Sequence, residues 1–187
     1  MSLKIGIVGA SGTGKSSLAR TLARHLGIKS LESKTITQDI LERDGYDYGS
    51  GVQVERFLAN TGRQNEILRR TMEREDKEEN GFVTDRTVVD LAAYVVAELH
   101  STDTRGLSDL YNTCQDRVKD YTHLFLCPWK ECRVTENYKR TLNPWYQFQI
   151  HALEVGIMNF WDMPFTVIES EGPEERVEEI VNALKKL

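Results

Sequence analysis

One short stretch of the sequence combines glycines, a lysine and a serine at a spacing that suits anion binding. Residues 9–16 fit the pattern G-x-x-x-x-G-K-[ST]. Glycines let the backbone curl so that successive N–H groups point at one anion, while Lys15 adds a mobile positive charge. The hydroxyl of Ser16 is a suitable oxygen ligand for Mg²⁺. The pattern therefore predicts a site for a nucleoside triphosphate, which we expect to be contacted by Gly9, Ala10, Ser11, Gly12, Thr13, Gly14, Lys15, Ser16 and Ser17.

Elements on both sides give this stretch the context that phosphate binding needs. Residues 4–8 predict a buried strand, and residues 17–26 predict a helix that Gly27 closes. Unpaired N–H groups and the positive end of the helix dipole then face the same anion as the glycine-rich turn. An ordinary glycine-rich turn is the alternative, but it would not require lysine and serine in this register.

Strands and helices alternate along the rest of the chain. Further strands are predicted at 27–32, 82–85, 123–127 and 165–168. A long helix is predicted over 52–80, with a break into two helices at Gly62 as the alternative. This alternation predicts a three-layer α/β/α fold whose five-stranded sheet is mostly parallel. Ligands of such sheets bind at the carboxyl ends of the strands. The residues that follow each strand are therefore candidates for the site.

A carboxylate ends the third predicted strand. Asp85 could hold Mg²⁺ or take a proton from an attacking hydroxyl, although aspartate also caps helices. Arg86 could bind an anionic acceptor or pair with Asp85. Asp90 and Tyr94 stand four residues apart on the next helix, so they either line the same cleft or pack in the core.

A basic segment follows the fourth predicted strand. Arg133 and Arg140 are seven residues apart and would share one face if the segment were helical. Mobile arginines that close over a transferred phosphoryl group stabilise its negative charge. We expect residues 129–142 to form such a lid, with an exposed charged loop as the alternative.

Composition limits the classes of protein that fit. The 187 residues suit one domain, 1–187, and the net charge of −5 gives no overall basic footprint, so a nucleic-acid partner is not favoured. Three cysteines without zinc spacing indicate reduced thiols, and no apolar run is long enough to cross a bilayer. We expect a cytoplasmic protein without a membrane partner, either a monomer or a homodimer.

Taken together, these motifs resemble those of the P-loop kinase superfamily. The glycine-rich loop is followed by Asp85-Arg86-Thr87-x-x-Asp90-x-x-x-Tyr94 and then by the arginine-bearing segment. The order of elements over nearly the whole chain is similar to the small AAA-type ATPase/kinase group that includes nicotinamide riboside kinase domains. Nucleoside and nucleotide kinases are wider relatives.

This resemblance implies an activity. Such kinases move the γ-phosphate of ATP, with Mg²⁺, to a hydroxyl or phosphate of a small nucleoside- or nucleotide-like acceptor. Some phage members are suggested to phosphorylate modified bases within DNA, so a kinase acting on modified bases in DNA is an alternative. Catalytic roles would fall to Lys15, Asp85, Arg86, Arg133 and Arg140. The acceptor pocket would lie in about 35–80, where the resemblance points to Thr37, Asp39, Arg56, Arg63 and Gln64, joined by Asp90 and Tyr94.

Other nucleotide-dependent classes fit less well. Residues 103–106 match the D-x-x-G of GTPase switches, but they follow a helix and no N-K-x-D motif occurs. A mechanical AAA+ ATPase needs an added helical domain for which the chain leaves little room. A non-kinase ATPase or a nucleotide-dependent binding protein stays open as an alternative.

Overall fold

A five-stranded sheet forms the centre of the protein in a computed structural model, which describes residues 2–32, 34–47, 60–98, 104–130 and 144–186. All strand pairs are parallel, and the strand order is β2-β3-β1-β4-β5. In the register, Gly6 of β1 lies between Thr84 of β3 and Leu124 of β4. The strands are β1 (Lys4–Val8), β2 (Lys29–Leu31), β3 (Phe82–Thr84), β4 (His123–Leu126) and β5 (Phe165–Val167).

Seven α-helices surround the sheet within the described ranges. They are α1 (Lys15–Leu26), α2 (Lys34–Arg43), α3 (Thr61–Asp76), α4 (Val88–Glu98), α5 (Thr104–Arg117), α6 (Pro144–Phe160) and α7 (Pro173–Leu184). A 3₁₀ turn at Val118–Asp120 leads from α5 to β4. Two helices, α6 and α7, begin at a proline, whose fixed φ suits the first helical turn.

Hydrophobic clusters cover both faces of the sheet. On one face, Leu18 and Leu22 of α1 pack with Ile180 of α7 against Ile5 and Ile7 of β1. The other face packs against α3, α4, α5 and α6, and α4 contacts α6 most extensively. Helix α4 is buried nearly all round, as its apolar sequence predicts. The expected three-layer arrangement with a parallel sheet is therefore confirmed.

The long helix predicted over 52–80 is wrong in its extent. Asn60 has an extended backbone, and its side chain accepts a hydrogen bond from the Arg63 amide at 3.0 Å. Such a cap starts a new helix, so α3 begins at Thr61 and Gly62 lies in its first turn. Residues 52–59 lie outside the described part of the chain.

Two of the three cysteines fall within the described residues. Cys114 and Cys127 are buried free thiols, and burial raises the pKa of Cys114 to about 12 and that of Cys127 to about 11. Thiols this hard to ionise are weak nucleophiles, which is consistent with packing rather than chemistry. No helix in the described ranges combines the length and apolarity needed to cross a membrane.

Candidate active site

The glycine-rich loop joins β1 to α1 with backbone angles that few other residues adopt. Gly12 and Gly14 have φ values of +92° and +89°. At Gly9 a Cβ atom would come within 2.6 Å of the Cys127 carbonyl oxygen, at the end of the neighbouring strand β4. The loop therefore fits against the sheet only with glycine at these positions. Its amides precede the first turn of α1, as anion binding requires.

Lys15 folds back over this loop. Its ammonium group donates hydrogen bonds to the carbonyl oxygens of Gly9 and Ala10, the latter at 2.8 Å. The residue is buried, with 8% of its surface exposed, so its charge is held next to the loop rather than in bulk water. A positive charge in this partly dry position attracts phosphate oxygens more strongly than an exposed lysine would.

Ser16 and Asp85 meet directly. The Ser16 hydroxyl, at the start of α1, donates to Oδ2 of Asp85 at the end of β3 over 2.6 Å, and Asp85 is buried. A hydroxyl and a carboxylate side by side form a hard oxygen donor pair, which fits Mg²⁺. In the described ranges, no cluster of three or more His, Cys, Asp or Glu side chains could hold a metal. That suits Mg²⁺, which usually binds through one or two carboxylates together with substrate phosphates.

A cavity lies next to Arg86, the residue that follows Asp85. Arg86 is one of its lining residues, and its guanidinium lies 4.9 Å from the centre of the Tyr94 ring. Helices α2, α3 and α4 supply the walls. The cavity combines apolar walls with hydroxyl, amide and guanidinium groups, and its lining is Thr37, Gln64, Ile67, Thr71, Arg86, Thr87, Val88, Leu91 and Tyr94. Four residues predicted from the sequence, Thr37, Gln64, Arg86 and Tyr94, thus share one cavity.

Other predicted acceptor residues lie elsewhere. Asp39 is exposed on α2. Arg63 forms an ion pair with Asp44 at 2.9 Å and stacks over the Tyr46 ring at 4.5 Å. These contacts hold Arg63 beside the loop after α2. Arg56 and the two lid arginines, Arg133 and Arg140, lie outside the described residues.

Asp90 points toward the phosphate-binding loop and is fully buried. Oδ1 accepts a hydrogen bond from the Gly9 amide at 3.4 Å, and Oδ2 accepts from the Thr87 amide and hydroxyl at 2.8 Å and 3.0 Å. Burial raises the pKa of Asp90, while Lys15 and the Thr87 hydrogen bonds oppose that rise. Asp90 therefore connects the start of α4 to the loop that follows β1.

Glu154 of α6 is the neighbour of Asp90 that the sequence analysis missed. Its side chain is fully buried and faces Asp90, and its pKa is raised well above the usual range, first by burial and then by the Asp90 charge. A signal was present in the sequence, because Glu154 shares a helical stripe with the apolar Ile150 and Ile157. An acidic residue in such a stripe is uncommon unless it is paired or neutral.

A second cavity lies along the outer side of the glycine-rich loop. Arg176 of α7 ties this side together, donating to the carbonyl oxygens of Thr13 at 3.0 Å and Ser170 at 2.9 Å. The residues that line this second cavity are Ser11, Gly12, Thr13, Pro128, Trp129, Lys130, Glu171 and Arg176. Nothing near Arg176 in the sequence signals this role, because the contact spans most of the chain length.

Several solved structures are similar to this chain. Deoxyadenosine kinase from M. mycoides, with its products dCMP and a flexible dCDP bound, has a TM-score of 0.67 at 17% identity over 99% of this chain and 100% of that chain. NadR in complex with NR has a TM-score of 0.73 at 14% identity over 99% of this chain and 51% of that chain. Shikimate kinase from Acinetobacter baumannii, in complex with shikimate, has a TM-score of 0.59 at 14% identity over 100% and 94%.

These likenesses show that the chain has the fold of the P-loop kinases. No protein of curated function matches the sequence significantly. A family match covers most of the chain, since residues 4–176 match the family described as an AAA domain. The resemblance to the AAA-type group of P-loop proteins is thereby confirmed, and the chain belongs to this AAA domain family.

Proposed function

We propose that this protein is a kinase that transfers the γ-phosphate of ATP to a small nucleoside- or nucleotide-like acceptor. One observation carries the proposal. The loop residue Ser16 is hydrogen-bonded to Asp85, and the next residue in the chain, Arg86, lines a cavity between α2, α3 and α4. The phosphate-binding loop and this cavity are therefore linked through the adjacent residues Asp85 and Arg86, which suits phosphoryl transfer between two bound molecules.

On the donor side, the loop amides and Lys15 hold the phosphates. Ser16 and Asp85 would hold Mg²⁺, which when bound neutralises charge on the phosphate oxygens. We assign Asp85 to the metal because its carboxylate already accepts from Ser16. Its second expected role, as the base for an acceptor hydroxyl, stays a prediction, as does the charge-neutralising role of Arg133 and Arg140.

On the acceptor side, the cavity offers Gln64 and Thr71 as buried polar groups among apolar walls. A flat polar ring with amide or hydroxyl groups suits this mixture. Arg86 in the lining adds a positive charge next to Asp85, where we expect the phosphoryl group to move. The likeness to deoxyadenosine kinase and to NadR in complex with NR supports an acceptor of the nucleoside class.

An acceptor within DNA is less well supported. Such a substrate would need a basic surface, for which Arg69, Arg70 and Arg74 of α3 are the candidates. Arg74 donates to the backbone carbonyl of Glu32 at 2.6 Å, and the other two are paired with acids. Arg69 forms an ion pair with Glu73, and Arg70 pairs with Glu66 at 2.8 Å. Their charges are therefore largely compensated within the helix.

The test is transfer of labelled γ-phosphate from ATP and Mg²⁺ across a panel of acceptors. The panel holds nucleosides, deoxynucleoside monophosphates, nicotinamide riboside, and DNA with and without hydroxymethylated bases. We expect labelling of one small-molecule class. Labelled DNA would favour the DNA-modifying alternative, and hydrolysis without any labelled acceptor would overturn the kinase proposal in favour of an ATPase or a binding protein.

Two variants locate the site in the same assay. Lys15→Ala should lower transfer by on the order of 10²-fold or more, because it removes charge stabilisation at the phosphates. Lys29→Ala, at an exposed lysine paired with Glu78, is the matched control and should leave transfer unchanged. For the acceptor identified, Gln64→Leu should raise KM roughly tenfold and leave the KM for ATP unchanged. Equal effects of both lysine variants would contradict the assignment of the loop.

A further inference from the structure

Two acidic side chains lie close to the phosphate-binding loop, and no cation among the described residues is bonded to either. Asp90 and Glu154 are both fully buried and face each other across the contact between α4 and α6. Asp90 accepts hydrogen bonds from Gly9 and Thr87, whereas among the described residues no N–H or hydroxyl group donates to either carboxyl oxygen of Glu154. The Lys15 ammonium is directed at the loop carbonyls instead.

Two facing carboxylates cannot both stay charged at this depth. A buried carboxylate without a hydrogen bond or a cation is strongly disfavoured, and a second negative charge beside it adds repulsion. The charged groups around the pair are Lys15 from α1 and Arg86 from the loop before α4, with the Cys127 thiol at the end of β4. Asp90 is the member with donors around it, so it is the one suited to hold the charge.

We propose that Glu154 is a positioning residue of the phosphate-binding loop, which carries a proton and donates it in a hydrogen bond to Asp90. The pair then bears one negative charge rather than two. Oδ2 of Asp90 still accepts both hydrogen bonds from Thr87, and Oδ1 still accepts from the Gly9 amide. Lys15 stays available for nucleotide phosphates. Glu154 acts through Asp90 and does not touch the nucleotide itself.

The consequence is a link between α6 and the loop. Helix α6 begins at Pro144, directly after residues 131–143, and Glu154 lies at its centre. The proton on Glu154 fixes the Asp90 carboxylate, which accepts a hydrogen bond from Gly9, the first residue of the loop. The inference rests on the nucleotide binding that the proposed function assigns to the loop, but it does not depend on which acceptor is used.

Affinity for ATP and Mg²⁺, measured by calorimetry, tests the inference without any transfer reaction. Glu154→Gln keeps a neutral hydrogen-bond donor, so its affinity should stay within about twofold of the parent protein. Glu154→Leu removes the donor, leaves the Asp90 charge unshared, and should weaken ATP roughly tenfold, as loss of one hydrogen bond to a charged group predicts. Equal affinities of the two variants would reduce Glu154 to a space-filling role and overturn the proposal.

Infrared spectroscopy detects directly whether Glu154 is protonated, and this measurement does not require Glu154→Leu to fold. The difference spectrum between the parent protein and Glu154→Gln at neutral pH should contain the C=O stretch of a protonated carboxylic acid. A carboxylate band in its place would mean that Glu154 is charged, which overturns the inference.

For the affinity measurement, Glu75→Gln is the matched control, at a buried glutamate that pairs with Arg117, and it should leave ATP affinity unchanged. If the Glu154 variants change ATP affinity as expected while no acceptor is labelled in the transfer assay, the kinase proposal fails and the role of Glu154 stands.

Discussion

Two buried glutamates on the same face of the sheet are stabilised in different ways. Glu75 of α3 accepts hydrogen bonds from the Tyr121 hydroxyl at 2.8 Å and from Arg117 at 3.1 Å. Glu154 of α6 faces another acid, Asp90. Burial raises the pKa of both glutamates. At Glu75 the hydrogen-bonded hydroxyl and guanidinium oppose the rise, whereas at Glu154 the Asp90 charge adds to it and the charges of Lys15 and Arg86 oppose it. One site is compensated by a cation, and the other by a proton.

The difference follows from where the two residues lie. At the Glu75 site, Arg117 is also paired with Asp76 and Asp120, whose side chains are more than half exposed. This cation links α5 to α3 through Glu75. Beneath the loop, a further cation would compete with Lys15 for the same oxygens, and a second anion would repel phosphate. A proton shared by Asp90 and Glu154 avoids both the competing cation and the second negative charge, and is therefore compatible with phosphate binding.

The largest expected effect comes from removing the cation at the first site. Arg117→Met leaves Glu75 buried without its charged partner, which should lower the free energy of unfolding by about 3–5 kcal/mol. Urea unfolding followed by circular dichroism measures this. The control is Lys119→Met, because Lys119 pairs with Asp116 at an exposed position and should change stability by less than about 1 kcal/mol. Similar losses in both variants would show that Arg117 is no more than a surface ion pair.

Replacing each glutamate by glutamine in turn tests whether Glu75 is charged and Glu154 is neutral in the folded protein. Glu75→Gln leaves the guanidinium of Arg117 without its buried acceptor and should lower the free energy of unfolding by about 1–3 kcal/mol. Glu154→Gln replaces one neutral group by another, so at about pH 5 it should leave stability nearly unchanged. Urea midpoints of the two variants at that pH give the comparison. A larger loss for Glu154→Gln would mean that Glu154 is charged and paired in the folded protein.

The sequence predicted the donor side of the site better than the acceptor side. Lys15 contacts the loop locally, since one turn and one helix end place the loop amides and Lys15 together. Asp85 was also predictable, because every parallel strand ends at the same edge of the sheet. Gln64 and Tyr94 reach the cavity only through the packing of α3 against α4, which no short motif encodes.

Asp90 and Glu154 show the same limit at closer range. The spacing of Asp90 and Tyr94 put both on one face of α4, but the turn at Thr87 directs Asp90 to the loop while Tyr94 lines the cavity. Glu154 is 64 residues further along the chain than Asp90, and their contact depends on the α4–α6 interface. Periodicity shows that an acid lies in a buried stripe, but only the fold shows what it faces.

The smallest expected effect is a difference in how stability depends on pH. The pKa of Glu154 is raised from 4.5 in the folded protein and keeps its usual value when unfolded, so the folded state binds a proton that the unfolded state has lost. Above about pH 4.5 the parent protein should therefore lose stability as pH rises, by at most about 1.4 kcal/mol per pH unit from this group. Glu154→Gln lacks that slope, and its stability relative to the parent should increase between about pH 5 and pH 8. Parallel pH profiles of the two proteins would show that Glu154 ionises alike in the folded and unfolded states, and the contrast between a proton at Glu154 and a cation at Glu75 would then fail.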